Sequence, residues 1–339
     1  MFALVLAGLL GATIPESGPV TASVAASGET EPVGTAADDA ADDPAIWRNP
    51  RHPARSLIVA TDKKAGIHVY ALDGAPRDFR PDGRLNNVDL VDIGRRGAIV
   101  VASDRSDETR ARLQIYRLDP RAGRLVPLGS VAGGSGEAYG LCLTQSGRSL
   151  DAFSVLKDGT VNKVRITFGK DGPKGTVLRT LRVGGQAEGC VVDPRSRRLY
   201  VGEEARGVWA FDARAHRPVE GKLVAPADGR HLVPDVEGLA LVPNGKRGGL
   251  LVVSSQGDNA YSLFRLPDMK PAGRFRIAAG TFGATEETDG IEARPGSFGR
   301  SYPGGIFVAQ DGDNGPRAQN FKIVSWRAVL RAVAQTEQR

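Results

Sequence analysis

The chain has 339 residues, of which 43 are glycine and 21 are proline, so it is rich in turn-forming residues. Its formal net charge is +6, but only 6% of its residues are aromatic and its arginines are spread through the turns. Nucleic-acid binding favours a basic stripe with interleaved aromatic side chains, so this composition argues against it. Small polyanions remain plausible partners for a basic protein.

The N-terminus is apolar from Phe2 to Ala12, which is too short to span a bilayer as a helix. This segment resembles the hydrophobic part of a secretory signal, although the positive residues that usually precede one are missing. We therefore assign residues 1–19 to a secretory signal or a disordered N-terminus, and we expect a secreted or periplasmic protein. The alternative is that this segment joins the closing strand of the fold. No other segment predicts a membrane span.

A three-part pattern recurs six times along the rest of the chain. Each repeat opens on a polar residue followed by apolar residues, and the opening markers are Asp43, Asp89, Tyr139, Glu188, Glu237 and Asp289. The steps between them are 46, 50, 49, 49 and 52 residues. A period near 50 with strand-like content is typical of the blades of a β-propeller.

Within each repeat, short runs rich in Val, Ile, Tyr and Phe alternate with polar residues, and turn-forming residues separate them. We predict an all-β, six-bladed β-propeller with four-stranded antiparallel blades, as a single domain over residues 20–335. Because open sheet edges must be covered, an N-terminal strand near residues 20–35 should complete the last blade. Only residues 326–334 have a helical period.

The ends of two strands in every repeat should meet at one mouth of the propeller. In an antiparallel pair, the start of strand one lies beside the end of strand two. The first three repeats place basic or phenolic residues there, namely Lys63, Lys64, Arg105, Lys157 and Tyr139. The last three place acids there, namely Glu188, Glu203, Glu204, Asp235, Glu237, Asp258, Asp289 and Asp311. The mouth is therefore predicted to be cationic on one side and anionic on the other.

This sorting of charge indicates a metal site beside an anion site. Crowded carboxylates repel one another and raise one another's pKa unless cations neutralise them. The donors are oxygens without a histidine or cysteine cluster, which favours a hard ion such as Ca²⁺. Calcium next to Lys and Arg predicts a site for a phosphorylated anion. Any single acid could instead cap a turn.

The sequence lacks the motifs that mark a protein nucleophile in the common phosphatases and hydrolases. None of the histidines, His52, His68, His216 and His231, lies in an Arg-His-Gly-x-Arg-x-Pro motif, and no Cys-x₅-Arg loop or Gly-x-Ser-x-Gly elbow is present. Direct attack by a metal-activated water is then the economical mechanism.

The two cysteines, Cys142 and Cys190, fall in equivalent first strands of adjacent repeats. They could lie within disulfide range, but the geometry of the strands decides this. We favour the alternative, two small buried apolar residues.

Nine motifs in order resemble the β-propeller phytases, also called alkaline phytases. They are DDPAIW (42–47), TDKKAG (61–66), LNNVD (85–89), EGCV (188–191), GEE (202–204), DVEGL (235–239), SSQGDN (254–259), TDGI (288–291) and VAQDG (308–312). The resemblance implies a six-bladed, calcium-dependent phytase that releases phosphate from phytate, a phosphoric monoester hydrolase of the 3-phytase type, with a cleavage site beside an affinity site.

Carried over residue by residue, the resemblance implies roles at the mouth. Phosphate-binding roles fall on Lys63, Arg105, Tyr139 and Lys157, and calcium-binding or water-activating roles fall on Asp43, Glu188, Glu204, Asp235, Glu237 and Asp289. Asp42 and Asp311 resemble ligands of structural calcium. We expect the catalytic set to be Glu188, Glu204, Glu237, Asp235 and Lys157. The family's Lys-Glu pair reads Lys157-Asp158 here, which keeps the charge but shortens the carboxylate.

Two other functions remain open at this point. A different calcium-dependent propeller hydrolase, such as a lactonase-like enzyme, would use the acids but not the cationic half. A non-catalytic propeller could bind a ligand at the same mouth. We expect a monomer that acts on a small polyanion and binds neither nucleic acid nor membrane.

Overall fold

Six antiparallel sheets of four strands form a closed ring, which confirms the predicted six-bladed propeller. The structure is a computed structural model that describes residues 19–36, 39–93, 97–214 and 219–336. The predicted signal segment falls almost wholly on residues 1–18, which lie outside the described residues. The first strand of each blade packs on the first strands of both neighbouring blades, so all six surround a central channel.

The strands follow the blades in chain order. Blade one contains Ala41–Trp47, Leu57–Asp62, Gly66–Ala71 and Pro76–Arg80; blade two contains Leu85–Asp92, Ala98–Asp104, Arg110–Asp119 and Arg124–Ser135; blade three contains Ala138–Ser146, Ser149–Leu156, Thr160–Gly169 and Gly172–Arg182. Blade four contains Ala187–Asp193, Arg198–Glu203, Gly207–Asp212 and Lys222–Pro226; blade five contains Val236–Asn244, Gly248–Ser255, Ala260–Leu266 and Lys270–Ala278; blade six contains Ile291–Pro295, Gly305–Asp311, Asn320–Ser325 and Gly28–Glu29.

The inner strands are buried on both faces because each blade is packed between two others. All six residues of Leu57–Asp62 and all seven of Gly305–Asp311 are buried. Outer strands such as Arg110–Asp119 alternate between exposed and buried residues, as a strand with one solvated face should. The core therefore lies between the blades, and polar residues reach the interior mainly at strand ends.

The N-terminal segment closes the ring at two places. Gly28–Glu29 pairs antiparallel with the third strand of blade six, as predicted. Thr21–Ala25 also adds a fifth strand to blade five, parallel to the outer strand, which sequence patterns did not reveal. The predicted helix is present as Trp326–Thr336, and it packs against both Thr21–Ala25 and blade five. Among the described residues, no helix is long and apolar enough to cross a bilayer.

A disulfide joins Cys142 and Cys190, so the prediction of two unlinked apolar residues was wrong. The two first strands pack side by side around the channel and hold the Cα atoms 5.6 Å apart, which is within the range for a disulfide. The bond therefore links blade three to blade four across a sequence separation of 48 residues.

We expect loss of this bond to weaken the fold, because it closes a long loop in the unfolded chain. Replacing both cysteines by serine should lower the unfolding free energy by about 2–4 kcal/mol. Chemical denaturation of both proteins with and without dithiothreitol is the measurement. The reductant should destabilise the wild type and leave the double variant unchanged. Equal stability of the two oxidised proteins would contradict the prediction.

Candidate active site

A β-bulge near the start of strand one fixes which residues face the mouth. The register of the first strand pair shifts between Ala41 and Pro44, and the same shift recurs in blades two to five. The first residues within these five bulges are Asp42, Asn86, Tyr139, Glu188 and Glu237. The markers Asp43 and Asp89 were therefore misaligned, by one and three residues, whereas Tyr139, Glu188 and Glu237 were placed correctly.

The glycine that follows each of the later markers lets adjacent blades approach closely. A Cβ on Gly140 would overlap the carbonyl oxygen of Glu188, and a Cβ on Gly189 would overlap that of Glu237. Gly238 donates its N–H to the carbonyl oxygen of Asp289 at 2.8 Å. Each marker thus lies against the backbone of the next blade, and this contact gathers the marker side chains into one ring. The Asp289-Gly290 pair belongs to the same packing, because the Gly290 N–H donates to the carbonyl oxygen of Asp42 at 3.0 Å. Asp-Gly pairs are typical of turns, but this pair serves chiefly the contact between blades six and one.

Three glutamates of this ring form the candidate metal centre. One carboxylate oxygen from each of Glu188, Glu204 and Glu237 lies within 4.8 Å of the others. Glu188 is 3% exposed and Glu237 is 4% exposed. Oε1 of Glu204 and Oε2 of Glu237 are buried and have no hydrogen-bond partner in the described structure. Carboxylate oxygens that converge from three side chains, two of them without a hydrogen-bond partner among the described residues, fit a hard divalent cation such as calcium.

Adjacent acids at the end of strand two in blade four have different roles. The Glu203 carboxylate accepts a hydrogen bond from the indole N–H of Trp209 at 2.6 Å and so lies away from the triad. Glu204 has passed the strand end, and its backbone is held between Gln186 and Val236 by hydrogen bonds of 3.0 Å each. Its side chain therefore reaches the mouth between blades four and five.

Burial and mutual repulsion raise the pKa values of the triad. Desolvation, followed by the charge of Asp42, raises the pKa of Glu188 well above its ordinary value, and desolvation followed by Asp289 does the same for Glu237. Desolvation also raises the pKa of Glu204, against hydrogen bonding from Gln186. Without a cation, the triad therefore favours the protonated form.

Lys63 lies on the acidic side of the mouth. Its Nζ forms ion pairs with Asp39 at 2.5 Å, Asp42 at 3.1 Å and Asp289 at 2.7 Å, and its side chain is 7% exposed. Burial lowers the pKa of Lys63, but Asp42, Asp289 and Glu188 outweigh it and raise that pKa well above its ordinary value. The lysine is thus a fixed internal cation. Asp289 is held further by Gln256, whose side-chain amide donates to it at 2.7 Å.

Two other cations share one aromatic ring. The guanidinium carbon of Arg105 lies 5.4 Å from the centroid of the Tyr139 ring, and Nζ of Lys157 lies 5.3 Å from it. Glu137 pairs with Arg105 closely and with Lys157 at 3.9 Å. Arg105 is 14% exposed and Lys157 is 39% exposed, so both can meet a ligand from solvent.

Asn86 connects the cationic group to the glutamate triad. Its amide oxygen accepts from Arg105 at 2.7 Å, and its amide nitrogen donates to Glu188 at 2.8 Å. The predicted cationic and anionic sides are therefore in contact through one side chain. Sequence reasoning missed Asn86 because the shifted repeat alignment took Asp89 as the marker of blade two. Asp39 and Glu137 were also missed, since no repeat position singled them out, whereas Gln256 stood at a strand-two end but was given no role.

Five predicted ligands lie outside the triad, and two of them, Asp42 and Asp289, are the ion-pair partners of Lys63. The Asp43 carboxylate accepts from the backbone N–H of Val88 at 3.0 Å and lines the central channel. Asp311 is paired with Lys322 at 2.9 Å, and both side chains are buried. Asp235 is exposed at the mouth, where its charge raises the pKa of Glu204 and of Glu237.

Two further acids of the predicted cluster are neutralised elsewhere. Asp258 binds Arg274 at 2.6 Å, and Glu203 is bound to Trp209. The anionic side of the mouth is therefore smaller than the sequence suggested.

The ring fold and its mouth of carboxylates and cations are those of a β-propeller hydrolase. A sequence model of the family described as Phytase matches residues 4–338 of the chain. The chain is also 39% identical over 332 residues to a 3-phytase of Bacillus subtilis (strain 168), covering 92% of this chain and 86% of that protein. The chain therefore belongs to the phytase family.

The fold alone is shared more widely. A chain of the crystal structure of the mitotic checkpoint complex superposes with a TM-score of 0.51 at 14% identity, covering 97% of this chain and 87% of that chain. At this level of identity, the similarity shows only the propeller architecture.

Alanine at Gly189 should disrupt the packing that forms the marker ring. The added Cβ would meet the backbone of blade five, including Cα of Gly238 at 2.9 Å, which cannot give way as a flexible side chain could. We expect the unfolding free energy to fall by about 2 kcal/mol or more. Gly34 is the matched control, because a Cβ there meets nothing within 4 Å. Denaturant unfolding of both variants is the measurement, and a harmless Gly189→Ala would refute the packing argument.

The pH dependence of stability should reveal the buried acid Asp289. Burial, opposed by Lys63, raises the pKa of Asp289 from 3.8 to about 6. The folded state thus prefers the protonated acid, so stability from this group is present below pH 4 and is lost as the pH rises towards 6. In excess chelator, Asp289→Asn should gain about 3 kcal/mol relative to the wild type between pH 4 and pH 7. Denaturant unfolding across this range tests it, and a constant difference would contradict it.

Proposed function

We propose that the protein releases phosphate from phytate in a calcium-dependent reaction, by direct attack of water on phosphorus. The observation that carries this proposal is the Asn86 bridge, which joins a glutamate triad suited to calcium to an arginine suited to phosphate. The family membership and the 3-phytase name of the Bacillus subtilis relative support the substrate.

The residues that would hold calcium are those with unneutralised oxygens. Glu188, Glu204 and Glu237 form the centre and the exposed Asp235 would extend it, whereas Asp42 and Asp289 adjoin it and share Lys63. When bound, calcium would neutralise these carboxylates and polarise a phosphoryl oxygen and the attacking water. Asp43 and Asp311 already have other partners, so the proposal does not require them.

The cationic side of the mouth would bind and orient the phosphoryl group. Arg105 offers a planar fork of N–H donors that suits phosphate oxygens, and Lys157 adds a more exposed charge. The ring of Tyr139 contacts both cations and so holds them side by side. Phosphate would displace Glu137 from both cations, exchanging one anionic partner for another.

The acids would then position water and take up its proton. Asp235 is the exposed carboxylate beside Glu204, so it can accept the proton of the attacking water. As the ester P–O bond breaks, the leaving inositol oxygen would take up a proton from solvent at this exposed mouth. Lys63 would remain an internal cation that limits repulsion among Asp42, Asp289 and Glu188. Donors fixed before the reaction stabilise developing charge without reorganisation, which is the largest single contribution in many enzymes.

The Cys142–Cys190 disulfide is evidence about the cellular compartment in which the protein acts. Structural disulfides persist in oxidising environments and are rare in the cytosol. Together with the apolar residues 2–12, the Cys142–Cys190 bond supports a secreted or periplasmic enzyme. We expect it to act as a monomer.

A paired substitution in blade four tests the proposal. We expect wild-type protein to release phosphate from phytate with calcium and not in excess EGTA. Glu204→Gln removes a charge from the triad and should lower turnover by about two orders of magnitude. Glu203→Gln is the matched control, because the amide can still accept from Trp209, and it should retain turnover.

The measurements are steady-state phosphate release at several calcium concentrations and thermal unfolding of each variant. Full activity of Glu204→Gln, or undiminished release in EGTA, would overturn the proposal. Equal loss in Glu203→Gln and Glu204→Gln would assign the effect to folding and remove the triad from the mechanism.

A further inference from the structure

A basic cleft lies on the end of the propeller opposite the mouth. The turns from strand one to strand two and from strand three to strand four reach this end, whereas the triad lies at the other. The cleft has a volume of about 620 Å³ and lies where blades six, one and two meet. Four exposed arginines line it, namely Arg55, Arg77, Arg121 and Arg300.

Close backbone packing brings these arginines together in two pairs. A Cβ on Gly299 would lie 2.8 Å from Cβ of Ala54, so the turns that carry Arg300 and Arg55 touch. A Cβ on Gly123 would lie 3.1 Å from Cβ of Arg77, so the turn that carries Arg121 packs on Arg77. Each pair thus joins two blades, and the arrangement depends on the ring rather than on one flexible loop.

The cleft is not neutralised by the protein itself. Within the described residues, none of the four guanidinium groups has an ion-pair or hydrogen-bond partner, in contrast to Arg80, Arg165 and Arg274 elsewhere. Two acids line the same cleft, Glu29 and Asp73. The Glu29 carboxylate is bound by Lys322 and Arg317, each at 2.7 Å.

Burial alone would raise the pKa of Glu29, but these two partners lower it to about 2, so its charge is already balanced within the protein. Asp73 accepts from the backbone N–H of Ala75 at 3.1 Å and is the one acid left in the cleft to face four cations. An anionic ligand would relieve the repulsion among them.

We propose that this cleft is a second, non-catalytic site for a small anion bearing several phosphate groups, of the inositol phosphate class, and that it binds without calcium. The identity of the ligand rests on the proposed function. Guanidinium groups bind phosphate through two parallel hydrogen bonds, and two pairs in one cleft suit a ligand that carries several phosphates. The buried rings of Phe298 and Tyr302 give the cleft a rigid floor. Its volume is in the range of small-molecule sites.

Calcium dependence separates this site from the mouth. In excess EGTA the mouth lacks the calcium that would hold a phosphate beside its acids, whereas the arginine cleft needs no metal ion. Titration calorimetry with phytate in excess EGTA at physiological salt should therefore show one phytate bound per wild-type chain. Replacing either pair, Arg55 with Arg300 or Arg77 with Arg121, by glutamine should weaken binding at least about tenfold. Replacing all four should abolish it without lowering the calcium-dependent release of phosphate.

Two controls make the test specific. Glutamine at Arg197, Arg198, Arg214 and Arg247 removes the same charge from the same end of the propeller, around blade four, and should leave the affinity within about threefold. The mouth variant Lys63→Gln/Arg105→Gln should also retain binding in EGTA. Melting temperatures of all variants verify folding.

The proposal fails if wild-type protein binds no phytate in EGTA, if the blade-four variant loses as much affinity as the cleft variant, or if the mouth variant abolishes binding. Phosphate release by the wild type with calcium tests the catalytic proposal separately. If wild-type protein binds phytate in EGTA but releases no phosphate with calcium, the proposed function is overturned and the proposed binding site at the cleft is not.

Discussion

The close approach of neighbouring first strands around the channel is the constraint on which the rest of the structure depends. Glycines after Tyr139, Glu188 and Glu237 bring each backbone onto that of the next blade, and side chains at the bulge are forced towards one another. In an open sheet, acids from separate strands would turn to solvent. In this ring the acids cannot turn away from one another, so the packing of the blades produces a cluster of carboxylates.

Other side chains of the protein partly offset the repulsion among these carboxylates. Lys63 is shared by Asp39, Asp42 and Asp289, and Asn86 provides a donor to Glu188. Oxygens of Glu204 and Glu237 remain without a partner, and their repulsion is what a bound cation would remove. At this mouth the protein neutralises neither the acidic nor the basic side chains completely. Both groups can therefore bind a ligand of the opposite charge.

The fold could be predicted from the sequence because a propeller repeats one local pattern six times. Short runs with period two and turn-forming residues identified the inner three strands of each blade and the C-terminal helix. The outer strand Lys222–Pro226 was not identified, because only one of its five residues is buried and it carries no clear apolar pattern. The bulge shifted the apparent repeat in the first two blades, where Asp42-Asp43 and Asn86-Asn87 lack the glycine that marks the position elsewhere.

The sequence predicted where side chains lie better than it predicted which ion pairs and hydrogen bonds they form. Glu188, Glu204 and Glu237 converge as expected, since their strand ends determine where they lie. Asp311 and Asp258 have equally suitable strand ends, yet Lys322 and Arg274 from their own blades bind them first. The disulfide has the same origin, because only the tilt and spacing of two strands separate a bonded pair of cysteines from two free ones.

The double attachment of the N-terminal segment has a consequence for biosynthesis. Thr21–Ala25 and Gly28–Glu29 lie near the start of the chain and are synthesised early, but their partners lie in blades five and six, at residues 274–278 and 322–323. Since domains form as the chain emerges, this segment must stay unpaired until almost the whole polypeptide is available. The nascent ring therefore carries a free strand at one end and an open sheet edge at the other, and chaperone protection during folding would be most valuable at those two edges.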